Sequence, residues 1–144
     1  MSLPPNDQRQ SFPDERLARA YRNADYRVNG TVLKIDEPHP AFDRILSEAG
    51  ADYYVILTAY NPKSTPLPPA LNSVRHEQLL QLLAGRGLSY LAASGADPAN
   101  DWEEEHGVCL LDPPQEAAYE IARLFEQHAI VEGLRGGRAQ LVWL

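Results

Sequence analysis

The eight residues Tyr53-Tyr-Val-Ile-Leu-Thr-Ala-Tyr60 constrain the fold more than any other stretch of the chain. They are apolar, β-branched or aromatic, and polar residues do not alternate among them. A strand with one wet face shows that alternation, whereas one without it is covered on both faces. The chain is therefore expected to build a sheet around this strand, with other elements packed above and below.

The flanking segments supply those elements. Asp25–Ile35 places β-branched residues on both sides of Asn29-Gly30, a pair that tolerates positive φ at both positions of a tight hairpin turn. Helical spacing of Leu17, Ala18 and Tyr21 predicts a short helix over 14–23, and that of Phe42, Ile45 and Leu46 another over 40–49, stopped by Gly50. A third helix is expected over 70–84, with Leu71, Val74, Leu79, Leu82 and Leu83 as its core and Gly85 and Gly87 at its end. Strands are expected over 88–93 and 106–111, with a polar loop from Ser94 to Asp101 between them. Asp112-Pro-Pro-Gln115 reads as a helix start, with Asp112 as N-cap and Gln115 completing a capping box. That helix runs to about 127, and 128–131 and 138–143 read as a last strand pair.

These elements predict a single α+β domain over residues 14–144. Its sheet is expected to be mixed or mostly antiparallel, with five to seven strands and about four helices packed on it. Residues 1–13, polar and rich in proline, are expected to form a flexible arm. The longest loop, Asn61–Pro69, carries four prolines, which cannot donate to a ladder.

Charge narrows the partners. With 13 Lys and Arg against 20 Asp and Glu, the chain of 144 residues carries a formal charge of −7. Such a surface repels phosphate backbones and anionic bilayers, so neither nucleic acid nor membrane is an expected partner. No apolar run approaches the roughly 20 residues that span a bilayer, and the first residues hold no apolar core for a signal peptide. The cytoplasm is the expected compartment. The single cysteine, Cys109, lies in an apolar run and reads as a core thiol. There is no GxGxxG, P-loop, CxxC or GxSxG pattern, and the four histidines are far apart. No metal and no cofactor is implied.

Polar residues gather in three places. Thr58 and Asn61 end the central strand, and Asn72, Arg75 and His76 open the next helix; exposed helix amides and Arg75 there would suit an anion. Asp101-Trp-Glu-Glu-Glu-His106 could do acid–base work, hold a cation, or form a solvated edge. Glu126, Gln127 and His128 close the last long helix, where a charged histidine is favoured.

Leu57-Thr-Ala-Tyr-Asn-Pro62 with Ser64, then Asn72 and Arg75, then Trp102 and Glu105, and finally Ala122-Arg-Leu-Phe-Glu-Gln-His-Ala-Ile130 resemble the bacterial family catalogued as domain of unknown function 3293. Glu126 and His128 stand where that family has a small residue and an amide. The resemblance implies a polar signature of Thr58, Asn61, Ser64, Asn72, Arg75, Glu105 and Gln127, and no reaction. Amide-rich, nucleophile-poor chemistry suits recognition. The expected function is a binding module with a polar pocket near 58–76, taking a small polar or anionic ligand or a protein partner through Thr58, Asn61, Ser64, Asn72, Arg75 and Gln127. The alternative is a hydrolase or transferase acting on a polar or phosphorylated small molecule, with Glu105 as general base. The sequence fixes no oligomeric state.

Overall fold

A computed structural model describes residues 15–144. The arm expected over 1–13 lies outside the described residues. Helix α1 (Glu15–Asn23) leads into the hairpin β1 (Asp25–Val28) and β2 (Thr31–Leu33). Its turn residues Asn29 and Gly30 have φ of 48° and 78°, as that dipeptide favours. Then follow α2 (Pro40–Ala49), β3 (Tyr53–Thr58), a 3₁₀ turn (Pro62–Ser64) and α3 (Pro69–Arg86). The chain closes with β4 (Tyr90–Ala96), β5 (Glu105–Leu111), α4 (Gln115–Leu124), β6 (Ala129–Leu134) and β7 (Gln140–Trp143).

The strands form one seven-stranded sheet in the order β2-β1-β4-β5-β3-β6-β7. Every neighbouring pair is antiparallel. The chain just past β2 bridges to the far edge through Ile35 and Ala139 and through Pro38 and Arg138, so the sheet is curled. β3 sits between β5 and β6 with Tyr54, Val55, Ile56 and Leu57 all buried. Alternation divides its side chains: Tyr54 and Ile56 join a core with Leu17 and Tyr21 of α1 and Phe42 and Leu46 of α2. Val55 and Leu57 join a second core with Leu79 and Leu83 of α3 and Ala118, Ile121 and Ala122 of α4. This double cover explains the unbroken apolar run. Among the described residues no helix is long and apolar enough to cross a membrane.

Four local expectations are corrected. Leu71 and Val74 are 52% and 54% exposed, whereas Leu79 and Leu83 are buried and Leu82 packs partly against the same core. Gly85 is helical, and Gly87, with φ of 65°, ends the helix. β4 runs through Ser94 and Gly95 to Ala96, since pairing with β1 and β5 on both sides overrides their loop-like character. Asp112 caps nothing: it has φ of 49°, and its Oδ1 accepts the backbone N–H groups of Asp52 and Tyr53 at 3.0 and 2.9 Å. Accordingly α4 starts at Gln115 and stops at Leu124, short of the expected 127.

Candidate functional site

Register brings the three polar segments to one end of the sheet. Thr58 of β3 pairs with Gly107 of β5, so residues leaving β3 run beside those entering β5. Ile56 pairs with Val131 of β6, which sets the entrance of β6 along the other side of the same exit. Segments around 58–76, 101–106 and 125–128 therefore converge.

Asn61 is the hub of this convergence. It has φ of 51°, a left-handed conformation that asparagine tolerates better than most residues. Its N–H donates to Asn72 Oδ1 at 2.9 Å, and its Oδ1 accepts from Asn72 Nδ2 at 2.7 Å and from the Leu67 N–H at 2.9 Å. Its Nδ2 donates to Glu105 Oε2 at 2.6 Å. Asn61, Asn72 and Glu105 are all buried, with Glu105 only 3% exposed. Asn72 thus sits one turn inside α3 and holds the loop rather than capping the helix.

Arg75 and Gln127 tie carbonyl groups of the chain leaving β3 to one at the end of α4. Arg75 Nε donates to Ala59 O and its Nη2 to Phe125 O, both at 2.6 Å, and the guanidinium lies 5.7 Å from the centre of the Phe125 ring. Gln127 Nε2 donates to Tyr60 O at 3.0 Å and Phe125 O at 3.1 Å. Thr58 Oγ1 donates to His106 O at 2.5 Å and accepts from Tyr60 N–H at 3.0 Å. These groups satisfy irregular backbone that no ladder can reach.

Ser64 Oγ lies 3.1 Å from His128 Nδ1 and 3.4 Å from the Tyr21 hydroxyl. A serine beside an imidazole is the usual layout of an activated nucleophile. Here Ser64 is 8% exposed and lines none of the hollows described below. The charged form expected for His128 is disfavoured instead. Burial lowers its pKa, and the nearby Lys63 charge pushes the same way. Burial also raises the pKa of Tyr21, Tyr26 and Tyr60, with the Glu105 carboxylate adding to each shift.

Two spaces meet at Glu105. Behind it, an inner cavity of about 40 Å³ is bounded by Tyr21, Tyr26, Ser94 and Gln127. That volume admits a water or two and nothing larger. In front lies a cleft of about 490 Å³. One wall is the loop and the start of α3, with Tyr60, Asn61, Pro66 and Leu67; the other is Asp101, Trp102, Glu103, Glu104, Glu105 and His106. Among the described residues no Lys or Arg lines it, Arg75 included. Glu104 itself is fixed by Ser94 Oγ at 2.5 Å and by Arg27, and the Ser94 hydrogen bond holds its carboxyl below the ordinary range.

A family model described as a protein of unknown function, DUF3293, matches residues 57–130. The chain belongs to this family. The DUF3293 match begins within β3, spans the loop, both cleft walls and α4, and ends in β6, so it covers the whole convergence. No curated protein and no solved structure matches the chain. Sequence reasoning picked out the 101–106 run but missed the place of Tyr60, whose ring borders the cleft.

Proposed function

We propose that this DUF3293 domain is a non-catalytic binding module whose cleft takes a small, positively charged ligand. One observation carries the reading: a cleft of about 490 Å³ is lined by four carboxylates and, among the described residues, by no Lys or Arg. Its volume falls in the range of ordinary ligand sites. Asp101, Glu103, Glu104 and Glu105 favour a cation by charge, and the rings of Trp102 and Tyr60 can add cation–π attraction. The anion anticipated from Arg75 and the helix start fits less well, because that guanidinium is held on the carbonyls of Ala59 and Phe125. Tight hydrogen bonding of Asn61, Asn72 and Glu105 supports a pre-formed wall, which reduces the ordering needed on binding.

Titration with butylammonium and, separately, butyrate, followed by Trp102 fluorescence and calorimetry, tests this reading. Butylammonium should bind with a Kd on the order of 1 mM, ordinary for so few atoms, and butyrate should not bind. Removing two exposed charges with Asp101→Asn and Glu103→Gln should weaken butylammonium by about fivefold, as expected for solvent-facing ion pairs. Equal affinity for the two ions, or binding indifferent to both substitutions, would reject the proposal.

A further inference from the structure

The cleft does not end at Tyr60. A second hollow of about 220 Å³ lies on the other side of that ring, between α3 and the sheet. Tyr60, Ser73 and His106 line both spaces, so they form one trough that passes over the tyrosine. Ala92, opposite Val108 in the β4–β5 register, is among the small residues that line the second hollow. Its floor is Ala92, Ala93 and Gly107, and its sides include His76, Glu77 and His106. The rings of His76 and His106 stand edge-on to Tyr60, with centroids 6.3 and 6.0 Å away and interplanar angles of 84° and 76°.

The two ends of the trough differ in chemistry. The first has four carboxylates and Trp102; the second has three rings over small apolar residues and a single carboxylate at its side. Among the described residues neither end is lined by Lys or Arg, and burial, with His106 adding to it, lowers the pKa of His76. Aromatic walls around a shallow apolar floor favour a flat ring, which they meet in stacked or edge-on contact. Resting on the cation-binding reading of the cleft, we infer that the ligand is an elongated arylalkyl cation. Its charged end lies among the 101–105 carboxylates, and its ring lies over Tyr60 between His76 and His106.

Comparison of 4-phenylbutylammonium with butylammonium tests this, because the two share the charge and the alkyl chain. The phenyl compound should bind about tenfold more tightly, the gain of a ring seated against aromatic walls. Ala92→Leu fills the second hollow and should abolish that gain while leaving butylammonium affinity unchanged. Glu77→Met, at an exposed position on the other side of the same hollow, repeats the test and should reduce the gain. If both ions bind equally, or if the gain survives Ala92→Leu and Glu77→Met, the ring subsite is wrong and the cation cleft stands. If neither ion binds, the cleft reading itself is overturned, and this inference falls with it.

Discussion

At the scale of single residues, the loop after β3 holds backbone that most side chains avoid. Asn61, Lys63, Ser64 and Glu126 have φ of 51°, 52°, 59° and 59°. For a residue such as Lys or Glu this costs about 1–2 kcal/mol. The strained segments brace each other, because the Lys63 N–H donates to Glu126 O at 2.7 Å. Lys63 is exposed, so Lys63→Gly should relieve strain without removing packing and raise stability by about 0.5–1 kcal/mol in urea unfolding. Asn61→Ala should lower it by about 3 kcal/mol, since it withdraws the amide from buried Glu105 and Asn72 and the acceptor from Leu67 N–H. Gly107 offers a third check. A Cβ there would press into the Leu57 carbonyl and lie 3.2 Å from Thr58 Cα, backbone of the central strand that cannot move aside. Gly107→Ala should therefore cost about 3 kcal/mol by the same measurement.

At the scale of elements, what the sequence revealed depended on whether one rule or two acted on a residue. β3 was legible because propensity and burial agree along it. The hairpin was legible because Asn29-Gly30 admits few other turns. Failures came where tertiary contacts overruled a local signal. Ser94-Gly95 looked like a loop, yet two neighbouring strands pair it. Asp112 looked like an N-cap, yet its carboxylate reaches two amides across the sheet end. Leu71 and Val74 fit the helical stripe of α3, but both stay exposed. That last correction predicts a contrast: Leu79→Ala, fully buried, should cost about 2–5 kcal/mol, whereas Leu71→Ala should cost under about 1 kcal/mol. The polar signature was legible as a set, because amides and charges have few reasons to recur in one family pattern. The network inside it was not. Which atom meets which depends on the β3–β5 and β3–β6 registers, and a single chain does not display them.

At the scale of the molecule, a doubly covered sheet surrounds its titratable and reactive groups with apolar layers. Cys109 is fully buried at the centre of β5, and burial raises its thiol pKa far above the ordinary value. Native protein should resist thiol reagents, with labelling only as fast as global opening. His76 and His128 both have pKa values lowered, chiefly by burial, from an ordinary 6.5. A depressed value means that the unfolded chain binds the proton more tightly, so their contribution is complete above about pH 6.5 and is lost as pH falls through the folded values. Stability should drop on acidification from pH 7 to 5, and His128→Asn should flatten part of that slope. The central claim is that the polar convergence builds a cleft for a cation. Mapping backbone and Trp102 indole N–H shifts during a butylammonium titration tests it most directly. The account predicts shifts concentrated in residues 60–73 and 101–106. Shifts spread over other surfaces, or none at millimolar ligand, would contradict it.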